Sequence, residues 1–217
     1  MSLGKLITFE GPEGGGKSTQ VRRLADRLKS SGHTVMTTRE PGGTPTGEVI
    51  RGILQHDHAG EALCPEAELL LFEASRAQLV RHVILPALKK GMWVLCDRFT
   101  DSTAAYQGYG RGFDLKAILD INTFTVGDCV PDLTLLLDVE PQTGMKRLTL
   151  RNQEHRTTRD RFEREQIEFH ERVRAGYLQL ARRWPERIQV IDSMRDEAAV
   201  EEDVWKAVSK LMKPVPR

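Results

Sequence analysis

Gly11-Pro12-Glu13-Gly14-Gly15-Gly16-Lys17-Ser18 follows directly on the apolar run Leu6-Ile7-Thr8-Phe9. The octet fits G-x-x-x-x-G-K-[ST], a phosphate-binding loop, and stands between a strand pattern and a helix pattern, where such a loop must stand. Its glycines let successive backbone N–H groups turn toward a polyphosphate, Lys17 can reach the β and γ oxygens, and the Ser18 hydroxyl can ligate the accompanying magnesium. Residues Gly11, Pro12, Glu13, Gly14, Gly15, Gly16, Lys17, Ser18 and Thr19 are therefore candidates for holding ATP or GTP.

Other residues carry chemistry that a phosphate loop could use. Asp97-Arg98-Phe99 closes an apolar run; its carboxylate suits magnesium or a magnesium-bound water, and its guanidinium suits a phosphate as a planar fork. Thr38-Arg39-Glu40-Pro41-Gly42-Gly43-Thr44 puts charge on a tight turn. Phe72 and Arg76 are four apart on a helical pattern, so they share a face on which a ring can stack on a base while a guanidinium donates to its carbonyl. From Arg147 to Arg164 the chain holds six arginines with acidic residues interspersed and hardly an apolar residue between Leu150 and Phe162. Such a run is usually a solvated helix face, but a mobile arginine-rich lid over a phosphoryl-transfer site would read the same way.

These groups need a frame. Short apolar runs alternate with helical periods, the pattern of a parallel sheet wrapped by helices. Five strands are predicted: Lys5 to Glu10, His33 to Thr38, Met92 to Asp97, Leu133 to Asp138 and Ile188 to Asp192. Val21, Leu24, Ala25 and Leu28 mark a helix starting on the phosphate loop and stopping at Gly32. A longer one runs from Pro65 to Leu88, with Pro86 expected to kink or end it. Val200, Val204, Val208 and Leu211 stripe a last helix, and Lys213 to Arg217 reads as a frayed tail. The chain of 217 residues is expected to form one α/β domain, a five-stranded parallel sheet flanked by helices, with a lid at about 147–164.

Composition narrows the partners. With 32 basic and 31 acidic side chains no global field favours nucleic acid or an acidic membrane, and no run approaches a membrane span or a signal core. Cys64, Cys96 and Cys129 lack disulfide or zinc spacing and read as buried thiols in a reducing, cytoplasmic setting. His56 and His58 form a pair without further ligands, hence a surface loop. No N-K-x-D sequence for reading guanine is present, and 217 residues leave little room for the coupling parts of a motor, so a compact kinase remains. A kinase for another monophosphate or a deoxynucleoside, and a nucleotide-binding regulator without turnover, stay open beside it.

Phe9 to Ser18, Arg39-Glu40-Pro41-Gly42-Gly43-Thr44, Leu71-Phe72-Glu73-Ala74-Ser75-Arg76, Asp97-Arg98-Phe99 and Ala105-Tyr106-Gln107-Gly108 together resemble bacterial thymidylate kinases in order and spacing, over nearly the whole chain. The resemblance implies the P-loop NTPase fold of nucleoside monophosphate kinases, a three-layer sandwich, and transfer of the ATP γ-phosphoryl group to dTMP by direct in-line attack, giving dTDP and ADP for dTTP synthesis. It implies Lys17 and Arg98 as catalytic groups, with Glu13 near the sugar 3'-hydroxyl, and Arg51 and Arg98 clamping the monophosphate. Phe72 would stack on thymine, Arg76 meet its O4, Thr103 and Gln107 address its N3 edge, and Tyr106 press where a ribose 2'-hydroxyl would lie. Magnesium would be held by Ser18, Asp97 and Glu40. Some relatives carry an arginine in the phosphate loop where this chain has Gly14, so the lid would supply that charge through Arg151, Arg156 or Arg159. The family also implies a homodimer, for which the Pro65 to Leu88 helix offers a face.

Overall fold

A computed structural model describes residues 4–56, 60–155 and 160–212. Along the chain run β1 (Lys5–Glu10), α1 (Lys17–Ser30), β2 (Val35–Arg39), α2 (Pro45–Gln55), α3 (Pro65–Leu79), α4 (Leu85–Lys89), β3 (Trp93–Asp97), α5 (Thr100–Thr103), α6 (Leu115–Val126), β4 (Leu133–Asp138), α7 (Pro141–His155), α8 (Ile167–Arg183), β5 (Ile188–Asp192) and α9 (Glu197–Ser209). The five strands make one parallel sheet in the order β2-β3-β1-β4-β5. β1, β3 and β4 are buried on both faces and read as continuous apolar runs, whereas the edge strands β2 and β5 are partly exposed.

Strand alternation aims the chemistry. Ile7 and Phe9 of β1 and Leu95 of β3 pack under α1 and α9, in a core with Leu24, Leu28, Val204 and Val208. Leu6, Val94 and Cys96 pack on the opposite face with Leu79 and Ile84. The same alternation sends the next even residue, Glu10, toward α5 and α8, and the next odd one, Asp97, toward the start of α1. Every strand ends on a charged residue, Glu10, Arg39, Asp97, Asp138 or Asp192, and a parallel sheet gathers all five at one edge.

The strand expectations hold, with β2 starting at Val35 and β3 at Trp93, later than the apolar pattern suggested. The helix from Pro65 breaks earlier than Pro86. Val80–Ile84 is a π-helical segment in which the Leu85 N–H donates to Val80 O, and Pro86 then enters at the first turn of α4. Proline has no N–H to continue an α-helical ladder, and the wider turn accommodates it. A second π-helical segment, Ala104–Gly110, carries Tyr106 and Gln107. Cys96 and Cys129 are buried free thiols, but Cys64, at the mouth of α3, is exposed, contrary to the expectation for all three; it precedes the helix that packs and lies outside the core. His56 is exposed; His58, Arg156, Arg159 and the tail from Lys213 lie outside the described residues. No helix among the described residues is long and apolar enough to cross a membrane.

Candidate active site

The phosphate loop takes its shape from glycine. Gly11, Gly14 and Gly16 have φ of 132°, 70° and 83°, which L side chains rarely adopt. A Cβ on Gly11 would lie 2.3 Å from Leu137 O, and one on Gly14 would lie 2.2 Å from Gly144 O of α7. An arginine side chain at position 14 therefore has no room while α7 keeps this position. Lys17 opens α1 and folds over the loop, its Nζ donating to Gly11 O at 3.0 Å and Pro12 O at 2.8 Å. Burial lowers its pKa to about 8, reinforced by Arg98 and opposed by Glu13 and Asp97. The Ser18 hydroxyl donates to Asp97 Oδ2 at 2.7 Å. On the far side, Ser193 Oγ donates to Gly15 O and Arg147 Nη1 to Ser193 O, both at 2.9 Å.

Arg98 sits on a strained turn, the only non-glycine with positive φ among the described residues, at 71°. Glu10 holds that turn. Its Oε1 accepts from the backbone N–H of Phe99 at 2.7 Å and of Ser102 at 3.2 Å, and its Oε2 from Ser102 Oγ at 2.5 Å and Tyr177 OH at 3.0 Å. Burial, with Asp101 nearby, lifts the Glu10 carboxyl to about 7 despite the Ser102 bond. The turn aims the Arg98 guanidinium at Glu13 Oε1, 2.5 Å away, with Tyr106 OH at 3.1 Å and Ser102 Oγ and Tyr177 OH at 3.2 Å. Burial opposes ionisation of Glu13, but Arg98, Lys17 and the Tyr106 hydroxyl together hold its carboxyl down at about 2. Lys17, Glu13, Arg98 and Tyr106 thus form one charged constellation.

A second constellation surrounds Arg76, which is 1% exposed. Its Nε and Nη2 reach Glu40 Oε2 at 2.8 and 2.7 Å, Nη2 donates to Phe99 O, and Nη1 reaches Glu73, Thr103 Oγ1 and Asn122 Oδ1. All its donors are engaged, so a base carbonyl would have to share one of these protons or displace a neutral partner. Thr103, expected at the base edge, gives its hydroxyl to this network. Burial lifts Glu40 to about 7 in spite of Arg76, and its Oε1 has no hydrogen-bond partner among the described residues. Arg51 donates to Pro41 O at 3.0 Å.

Both constellations open on one cleft of about 810 Å³, lined among others by Lys17, Ser18, Thr19, Arg51, Phe72, Arg76, Asp97, Arg98, Thr103, Tyr106 and Gln107. That volume suits nucleotide-sized ligands. The lid expectation divides. Arg147 and Arg151 lie on α7 and line the cleft; Arg147 is spent on loop carbonyls, while Arg151 is exposed with Glu163 3.5 Å away. Arg161 turns from the cleft to Glu68. The sequence reading missed Glu10, Glu68, Glu73, Ser102, Asn122 and Tyr177. Glu73 carried a signal, standing one helical turn before Arg76 on α3; Tyr177 comes from the distant α8 and had none.

The family model described as thymidylate kinase matches residues 9–204. A thymidylate kinase of Deinococcus radiodurans is 49% identical over 210 residues, covering 97% of this chain and 98% of that protein. One of Geobacter sulfurreducens is 49% identical over 216 residues, covering 99% and 100%. Among solved structures, the crystal structure of thymidylate kinase from Ehrlichia chaffeensis aligns with a TM-score of 0.75 at 35% identity, over 95% of this chain and 98% of that one. With matches of this extent laid over the same loop, turn and cleft, the chain belongs to the thymidylate kinase family.

Proposed function

We propose that the cleft transfers the γ-phosphoryl group of ATP to the phosphate of dTMP, giving dTDP and ADP by direct in-line attack. The observation that carries this assignment is the continuity of the cleft, which joins the phosphate loop to Phe72, Arg76 and Gln107, so that donor and acceptor phosphates meet between Lys17 and Arg98. The acceptor is already an anion. It needs alignment and charge neutralisation more than a general base. Lys17 and the loop N–H groups hold the donor phosphates, Arg98 and Arg51 clamp the acceptor, and Glu13 with Tyr106 faces the sugar. Arg151, with Arg156 and Arg159 in the lid at about 147–164, adds positive charge when the lid closes.

Ser18 Oγ, Asp97 and the unpartnered Oε1 of Glu40 are hard oxygen donors that fit Mg²⁺. An ion held there would take its other ligands from phosphates and water. When bound, the ion supplies charge neutralisation at the transferring phosphates. The free thiols fit a reducing, cytoplasmic setting. A homodimer fits the outer helices: α3 packs against α2 and α6, and these expose Leu70, Val49, Ile53 and Phe124, the last 88% accessible.

A coupled assay of ADP release with ATP and magnesium, offering dTMP, dUMP, dCMP, dGMP, AMP and thymidine in turn, tests the assignment. Selective turnover of dTMP is expected. Turnover of a purine monophosphate would overturn the base reading, and ATP binding without turnover of any acceptor would overturn the phosphoryl-transfer reading.

A further inference from the structure

Glu68 of α3 is 1% exposed, yet three N–H groups of Gln107 and Arg111 and the guanidinium of Arg161, from two separate segments, converge on its carboxylate. Oε1 accepts from Gln107 Nε2 at 2.7 Å and Arg111 Nε at 3.2 Å; Oε2 accepts from Arg111 Nη2 at 3.1 Å and forms an ion pair with Arg161 Nη1 at 2.6 Å. Its partners among the described residues are all donors, so the group acts as an acceptor at both oxygens, with two guanidinium groups balancing its charge.

This has a consequence for Gln107. A side-chain amide has a donor end and an acceptor end, and which end faces which way is decided by its partners. With Nε2 turned to Glu68, the end left for a ligand in the cleft, which Gln107 lines together with Phe72, Arg76 and Thr103, is the carbonyl oxygen. An acceptor there pairs with the N3–H of thymine or uracil and opposes the N3 lone pair of a 4-aminopyrimidine. A buried polar group left unpaired in this way discriminates strongly.

The third donor ties the same carboxylate to the lid exit. Arg161 also donates from Nε to Leu54 O at 3.1 Å, and its backbone N–H reaches Gln55 O at 3.3 Å. The next residue, Phe162, packs its ring 5.6 Å from that of Phe72 and 6.0 Å from that of Tyr106. The floor of the base pocket and the returning lid segment therefore share one anchor.

We propose that Glu68 is a positioning residue that sets the orientation of the Gln107 amide, and through it the choice between 4-oxo and 4-amino pyrimidine monophosphates. The proposal rests on the reading of Gln107 at the base edge. Its test compares kcat/KM for dTMP and 5-methyl-dCMP, which differ only at the 3,4 edge, in the unaltered protein, Gln107→Ala, Glu68→Gln and Glu68→Met. Glu68→Gln offers an oxygen or an NH2 group in the same place and Glu68→Met offers neither, so both free the amide to turn.

The preference for dTMP is expected to fall about tenfold or more in at least one Glu68 variant, whereas a merely structural role would lower both activities together and keep their ratio. A ratio unchanged in both Glu68 variants but collapsed in Gln107→Ala overturns the role of Glu68 alone. A ratio unchanged in Gln107→Ala overturns the base-edge reading and the inference with it. Independently of any folding defect in the Glu68 variants, NMR of the unaltered protein should show one glutamine side-chain NH2 pair protected from exchange that vanishes in Gln107→Ala; a Gln107 pair exchanging at solvent rates overturns the inference.

Discussion

Arg98→Met removes a charge from the point where donor and acceptor phosphates are proposed to meet while keeping an unbranched apolar stem. Two effects of different size follow. In the resting protein, the Glu13 carboxyl held at about 2 instead of 4.5 corresponds to about 3 kcal/mol of net preference for its ionised form. Arg98 supplies the first of the favourable contributions, ahead of Lys17 and Tyr106. Its loss therefore costs up to about 3 kcal/mol of stability, the range for breaking a buried pair and leaving one partner behind. In the reaction, the loss of one preorganised donor at the transferring group costs about 10²- to 10³-fold in kcat. Arg98→Lys should lie between, since an ammonium keeps the charge but not the fork. ADP release at saturating ATP and dTMP, with thermal unfolding on the same samples, reads both effects. The double variant Arg98→Met/Glu13→Gln separates them: it removes the stranded carboxylate and should regain stability without regaining rate. Arg98→Met with kcat within tenfold of the unaltered protein, or a double variant that recovers turnover, would refute the argument, because Arg98 would then serve Glu13 and not the phosphates.

Glu10, lifted to about 7 chiefly by burial, keeps its proton in the folded protein to a higher pH than in the unfolded chain. Folding thus takes up protons between about pH 4.5 and 7, and this contribution, complete below the unfolded pKa, is lost as pH rises through 7. Glu40, also lifted to about 7, acts with the same sign. Unfolding temperature should therefore fall from pH 5 to 8, and Glu10→Gln should make that fall shallower; an unchanged slope contradicts the assignment. Gly144→Ala places a Cβ 2.2 Å from Glu13 O, backbone against backbone, and should cost about 1 to 3 kcal/mol with a raised KM for ATP. Gly52→Ala, where nothing among the described residues lies within 4 Å, serves as the neutral contrast. Phe124→Asp should convert a dimer to a monomer in sedimentation velocity; an unaltered sedimentation coefficient would remove the outer helices from the interface.

Five strands, the phosphate loop and its helix were legible because each is written in a local pattern. The apolar runs of β1, β3 and β4 are continuous because both faces are covered, and Gly16-Lys17-Ser18 marks a helix whose N-terminus is a candidate phosphate site. The break at Val80 was not legible. Pro86 announces that a helix cannot continue, but where the ladder widens depends on which residues upstream are packed, here Val80 and Ile84 at 0% exposure. The exposure of Cys64 follows likewise from where α3 starts to pack.

The site divides along the same line, and the division is physical. Lys17, Ser18, Asp97, Arg98, Phe72 and Arg76 could be picked out because cations, hydroxyls and a ring occurred at strand ends or on one helix face. The carboxylates that aim them could not, since their partners are far away in the chain: Glu10 reaches Ser102 and Tyr177, and Glu68 reaches Gln107, Arg111 and Arg161. A carboxylate in a strand or a helix looks the same whether solvent or an arginine faces it. Only the sheet order, which brings the end of β1 between β3 and β4, decides that Glu10 ends under the Arg98 turn. Phosphate calls for cations and for glycine-freed backbone N–H groups whatever the fold, so the candidates for holding it show in sequence. The groups that hold them in place are chosen by the fold, and their chemistry becomes visible only once the chain has closed around them.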